Sequence, residues 1–301
     1  MKLVAFDTGC SRDYNNFCEM CLFGFVIANE NFEIETSEYM FIKANKPTGR
    51  LRNIVRVDSK KLSIAPDYGV VRKIISQIFG LEDVVFIAHS PENNFRHLCI
   101  MDRRYGISPI KCKAYDVLVL LRNYVNIPLY SLSDIAGTFG IKFDHSESNH
   151  RAKTCIRIVE YICKEERISL KQFIEVCGRG ALVDSEIVNH RVLIAFKQKR
   201  MELFYSGKMV AKNGKFSNMK FAMSESFENE NIEVGFRIGE YVTHNGGIMT
   251  KRSSEANVFI WDGNATSKRL GPIYSMNHIK VIKPSELFTI DVAAFSLDCS
   301  Q

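Results

Sequence analysis

No apolar stretch in this chain is long enough to cross a bilayer, and the apolar run at its N-terminus is too short for the core of a secretory signal. A membrane-spanning or exported protein is therefore not expected. Internal repeats and low-complexity segments are missing, so a repeat architecture is not expected either. A cysteine framework is also missing. The nine cysteines are odd in number and scattered, which predicts free thiols and a cytoplasmic location. No sign of charge dominates. Lys and Arg total 40 against 34 Asp and Glu, and the net charge of +6 permits a polyanionic partner without demanding one.

What is present is the material of an ordinary globular protein, with 46% hydrophobic and 25% charged residues. A length of 301 residues exceeds what one core usually serves and predicts two domains. The chain begins with Lys2-Leu-Val-Ala-Phe-Asp7, an apolar run ending in one carboxylate. Thr8-Gly9-Cys10 then reads as a turn, so a buried strand would deliver Asp7 to the rim of a sheet. Cys18–Ala28 and Phe32–Ile42 complete a β-meander. Helical spacing follows over Asp67–Phe79, a short buried strand at Asp83–Ala88, and a helix from about Asn93 to Tyr105. Tyr115–Leu121 opens a further strand or helix, Ser131–Phe139 reads as a capped helix, and His150–Cys163 as another. Strands followed by alternating helices and strands predict an α/β domain over residues 1–165.

Residues 166–217 change character. Lys197, Lys199 and Arg200 lie in a basic run interleaved with Phe196, Phe204, Tyr205 and Phe216. Such a run suits phosphates and stacked bases, which makes those three cations candidate nucleic-acid contacts. The plainer reading is a solvated linker with a hairpin around Asn213-Gly214. Residues 218–301 then alternate strand and helix, which predicts a second domain with a small parallel sheet. Its helices are expected at Asn231–Thr243, Ser267–Asn277 and Lys283–Thr289.

Several segments of the first domain, taken in order, carry a resemblance. They are Val4-Ala-Phe-Asp7-Thr8-Gly9, then Ile87-Ala-His-Ser90 with Pro91-Glu-Asn-Asn94, then Leu129-Tyr-Ser-Leu132 with Phe139-Gly-Ile141, and His150-Arg-Ala-Lys-Thr-Cys155. Together they resemble the DEDDh 3′–5′ exonucleases, the DnaQ-like branch of the RNase H-like fold. The resemblance implies a mixed sheet with flanking helices. It also implies a site in which acids hold two divalent metals and a histidine acts as general base. Asp7 falls on the family's first acid and His150 on its base. Gly9, Asn94 and Cys155 fall where the family has its other three acids. One carboxylate should not hold two magnesium ions, because hard cations need anionic oxygens. The resemblance therefore implies a catalytically degenerate nuclease scaffold with no metal or other cofactor, able to bind nucleic acid without cutting it. If Glu92, Asp13 or Glu147 acted as surrogate ligands, magnesium or manganese would be required and the protein would be an active exonuclease. A protein-only scaffold is the third reading. Cys18-x-x-Cys21 could suggest zinc but reads as core packing.

The second domain resembles a BRCT domain. The matching pieces are Met219–Ser226, the Gly246-Gly247 turn, Ala256–Gly263, Thr266-Ser-Lys268, His278–Ile282 and Pro284–Phe288. The resemblance implies docking of a protein partner. It also implies a phosphate site built from Ser224 or Ser226 and Lys268, although the family's Gly after the hydroxyl is replaced by Glu225 or Phe227. An exonuclease-like domain followed by a BRCT domain is similar to bacterial and phage proteins of DNA replication and repair.

Overall fold

The computed structural model describes residues 1–12, 18–44, 59–124, 131–143, 148–263 and 267–289. The described residues divide between Val192 and Leu193 into two compact units. No helix among them is long and apolar enough to cross a membrane.

The first unit starts with three antiparallel strands, β1 (Lys2–Arg12), β2 (Cys18–Ala28) and β3 (Ile34–Phe41). Helices α1 (Ser59–Ile64) and α2 (Tyr68–Phe79) lead to β4 (Val84–Ala88), which pairs parallel with β1. Then come α3 (Pro91–Arg104) and β5 (Lys113–Asp116), parallel to β4. Helices α4 (Val117–Tyr124), α5 (Leu132–Thr138), α6 (Ser148–Glu165) and α7 (Leu170–Cys177) precede β6 (Leu182–Asp184), which closes the sheet antiparallel to β5. The strand order is β3-β2-β1-β4-β5-β6. A mixed six-stranded sheet with helices on both faces is what the resemblance implied.

The central strand explains its own composition. Leu3 and Ala5 face one core with α4, α5, α6 and α7, while Val4 and Phe6 face the other with α2 and α3. Side chains alternate along a strand, so a strand covered on both faces reads as a continuous apolar run. The core on the α2–α3 side also encloses a buried ion pair. Arg72 Nε lies 2.6 Å from Asp102 Oδ1, and Tyr68 donates to the same oxygen at 2.8 Å.

Several expectations need correction. The turn expected after Asp7 does not form. β1 runs on to Arg12, and Gly9 marks a register shift against β2 between Gly9 and Cys10. The first unit does not end at 165. Leu170, Phe173 and Cys177 of α7 pack into the same core as Leu3 and Ala5, and β6 adds a strand to the sheet. Residues 166–217 are therefore not a linker. They hold α7, β6 and the whole of the helix α8 (Ser185–Tyr205), within which the two units divide. Asn213 and Gly214 lie in a turn region with no flanking strands, so the expected hairpin is not formed.

The second unit is built on β7 (Lys220–Met223), β8 (Ile248–Met249), β9 (Val258–Ile260) and β10 (Lys280–Ile282), all parallel, in the order β10-β9-β7-β8. The expected small parallel sheet is present. A short turn of helix, α9 (Ser226–Asn229), and α10 (Ile232–His244) follow β7. Gly235 is required there: a Cβ on it would sit 1.9 Å from the Phe227 carbonyl oxygen. The two later helices are short 3₁₀ turns instead, Gly271–Ser275 and Pro284–Thr289. Proline is tolerated in the first turn of a helix and disfavoured in its interior, and Pro272 stands at the start of the first of these turns and mid-way through the expected 267–277 helix.

Candidate functional site

Strand parity places the first site residue. Asp7 shares the face of Leu3 and Ala5, so it points toward α6. The β1–β4 ladder ends at Ala5–Ile87, and Asp7 lies two residues further, where β4 gives way to the loop into α3 while β1 runs on paired with β2. This is the usual location of sites in sheets with parallel strands. The chain leaving β4 passes through Ser90, which has φ +59°, and turns into α3. The first turn of α3 carries Asn94, only 3% exposed, against β1.

Asn94 is held by a defined relay. The Thr8 amide N–H donates to Asn94 Oδ1 at 3.2 Å, which fixes that atom as the oxygen. The Thr8 hydroxyl donates to the same oxygen at 2.7 Å. His97 Nδ1 lies 2.7 Å from the Thr8 hydroxyl oxygen, and since that hydroxyl's proton is already committed, Nδ1 is the donor.

From the other side α6 brings Arg151 and Cys155. Arg151 Nη1 stands 3.3 Å from Asp7 Oδ2, close enough for an ion pair but without the alignment of a hydrogen bond. The Asp7 carboxyl is pushed up to about 6. Burial is the principal cause, and the charges of Arg151 and His97, the Thr8 amide and the Asn94 side chain oppose it without cancelling it. The Cys155 thiol, 1% exposed, is pushed up to about 12 by burial first and by the charge of Asp7 second. It is therefore a neutral thiol at physiological pH. Asp116, also raised by burial, accepts the Leu118 amide N–H at 2.9 Å and so caps the start of α4.

The structure thus gathers Asp7, Asn94 and Cys155 around one point, with Gly9 two residues along β1. The donor set does not suit a pair of magnesium ions. These three residues offer a carboxylate whose second oxygen faces a guanidinium, an amide oxygen already accepting two hydrogen bonds, and an uncharged thiol, while Asp116 is engaged by the Leu118 amide. Among the described residues no group of three or more His, Cys, Asp or Glu could hold a metal ion. Of the possible surrogates, Glu92 pairs with Arg191 at 3.0 Å on the surface, while Asp13 and Glu147 lie outside the described residues. Cys21 is buried and donates to the Gly9 carbonyl at 3.4 Å, and the Cys18 side chain is outside the description.

Sequence reading missed Arg151. Its signal was in plain view, one residue after His150 in the segment that carries the resemblance. A cation there means little until strand parity shows that it meets Asp7. His150 itself is partly buried and lines a cleft with Lys153 and Arg157.

The other candidate residues are placed differently. Lys197 and Lys199 lie on α8, where Lys197 pairs with Glu233, and the side chain of Arg200 is outside the description. The structure does not gather Ser224, Ser226 and Lys268 into a cationic pocket. Ser224 is fully buried, Ser226 donates to Asp262, and Lys268 is exposed. The neighbouring cation is Arg269, whose Nη1 donates to Glu228 at 2.7 Å and whose Nε lies 3.9 Å from Glu225. Ser267 also donates to Glu225, at 2.5 Å.

No family model matches the chain. No curated protein matches it either. Among solved structures the chain is similar to a 3′-exonuclease described in "3′-end specific recognition of histone mRNA stem-loop by 3′-exonuclease". The identity is 13%, over 56% of this chain and 84% of that one, with a TM-score of 0.49. It is similar to the nuclease domain of 3′hExo, a DEDDh family member bound to rAMP, at 14% identity over 55% and 92% of the two chains, TM-score 0.49. It is also similar to E. coli exonuclease I in complex with a dT13 oligonucleotide, at 13% identity and TM-score 0.46. That match spans 55% of this chain and only 42% of exonuclease I.

Proposed function

We propose that the first unit is a nuclease-like domain that binds nucleic acid without cutting it. The observation that carries this reading is the guanidinium of Arg151, 3.3 Å from the carboxylate of Asp7, with an amide and a neutral thiol where the resemblance calls for acids. A metal site concentrates negative charge and relies on cations to admit a phosphate. Here a fixed cation of the chain replaces the mobile one, so among the described residues a phosphate meets no carboxylate cluster.

The second unit, in this reading, is a BRCT-like docking module. Its strand order, with the first strand between the second and the third and the fourth at the far edge, and the Gly246-Gly247 turn support that assignment. Docking is independent of phosphate, because Glu225, Glu228 and Asp262 already satisfy the nearby donors Ser267, Arg269 and Ser226. A dianion there would face three carboxylates.

Incubating the protein with an end-labelled single strand tests the proposal. Retention in a gel shift is expected in the presence of EDTA and at low salt. Addition of magnesium or manganese is expected to leave the strand at full length. Metal-dependent shortening that Asp7→Ala removes would overturn the non-cutting half. A strand that migrates freely even at low salt would overturn the binding half.

A further inference from the structure

Helix α6 presents a second face that the site around Asp7 does not use. Arg151, Cys155, Ile158 and Ile162 look inward, toward Asp7 and the core. His150, Lys153, Thr154 and Arg157, at spacings of three and four, look the other way and line a cleft of about 450 Å³ with Ile141 and Lys142. We infer that this cleft is a binding site for the phosphate groups of a single-stranded nucleic acid, an inference that rests on the binding half of the proposal above.

Among the described residues the lining holds two lysines and an arginine, together with a histidine, and no carboxylate. Lys142 and Lys153 are exposed, and among the described residues neither pairs with an acid. Arg157 pairs with Glu160, but that carboxylate is also bound by Lys164 at 2.6 Å, so it neutralises little of the cleft. Cations of one sign in a concavity focus their field and attract a polyanion more strongly than the same charges spread over a convex surface. The dimensions agree. The volume falls within the range of about 300–1,000 Å³ typical of small-ligand sites. From His150 to Arg157 the helix rises about 10 Å, a span that accommodates successive phosphates of an extended strand. The side chain of Ile141 adds an apolar edge for a sugar or base.

The cleft and the Asp7 site are adjacent along the chain. His150 lines one and Arg151, the next residue, reaches the other. Phosphates held along α6 therefore lie next to the place where a carboxylate cluster would repel them if it were present. This assigns the phosphate contacts to α6 and not to the basic run of α8, where Lys197 is already engaged by Glu233.

The test compares Lys142→Ala/Lys153→Ala with the wild-type chain and with Lys60→Ala/Lys73→Ala, which removes two exposed lysines elsewhere on the first unit. The probe is a labelled oligothymidylate in EDTA, followed by fluorescence anisotropy across a salt series. The cleft variant is expected to bind about tenfold more weakly, with a log–log salt slope shallower by about 1.4, the value for two lost contacts to a single strand. The control variant is expected to match wild type, and Lys142→Arg/Lys153→Arg to restore binding. Equal affinity and slope in the wild-type and cleft variants would overturn the cleft assignment while leaving nucleic-acid binding intact. A wild-type chain that shows no anisotropy change at low salt would instead sink the proposed binding function and this inference with it.

Discussion

Replacing Arg72 with alanine is expected to lower the unfolding free energy by about 3–5 kcal/mol, the largest effect anticipated for any surface-remote substitution in the first unit. Asp102 is wholly buried and Arg72 is 6% exposed. The guanidinium gives Asp102 two contacts, 2.6 Å from Nε and 3.3 Å from Nη2, and reaches the Ser108 carbonyl at 3.0 Å. Burial already raises the Asp102 carboxyl above its ordinary range, and hydrogen bonds from Arg72 and Tyr68 restrain that rise. Without Arg72 the carboxylate would be buried with only the Tyr68 hydroxyl, 2.8 Å away, as a side-chain donor. Its pKa would rise further. The cost should therefore shrink at low pH, where the folded state takes up a proton that the unfolded state does not. Urea unfolding of the variant at neutral pH and near pH 4 checks both parts. Functionally, the pair ties α2 to α3, the helix that carries Asn94 and His97 to the site.

The second large effect has the opposite sign. Asp7→Asn is expected to stabilise the fold by about 2 kcal/mol above pH 7. The folded carboxyl titrates at about 6, above its value of 3.8 in the unfolded chain, so the folded state holds the extra proton between those limits. Stability from this group is full below pH 4 and is lost as the pH rises through 6. An asparagine has no such dependence, so its advantage should fade to nothing as the pH falls from 6 to 4. The released Arg151 side chain is 25% exposed and can recover hydration, which limits the offsetting loss. Chemical unfolding of both proteins across pH 4–8 decides the matter. A variant less stable than wild type at pH 8 would mean that the Asp7–Arg151 pair is net stabilising and that Asp7 is retained for the fold.

Much of this was legible from residues 1–163 because the signals there are long. The run before Asp7 is apolar on both strand faces, and β2 begins and ends where its own apolar run does. The helices α2 and α6 keep their stripes over three or more turns. The three-residue strand β6 was not legible. Leu182-Val-Asp184 is too short to show a period and becomes a strand only by pairing with β5. The boundary near 165 was wrong for the same reason: α7 looks like the start of a new segment until Phe173 is seen buried in the core beside Ala5. In the second unit a strict helical reading of 267–277 overlooked Pro272. At the site, Asp7, Asn94 and Cys155 could be named as candidates from the sequence, but the meeting of Asp7 with Arg151 could not. That contact depends on which face of β1 lies over α6, and parity fixes it only once the sheet is known.

The most direct test of the account is a titration with manganese followed by electron paramagnetic resonance. The protein is expected to leave essentially all added manganese in its free, aquated form at micromolar concentrations, because Arg151 occupies the electrostatic role of the cation beside Asp7. Tight uptake of manganese that Asp7→Asn abolishes would contradict it, and would show that side chains beyond those gathered here complete a metal site.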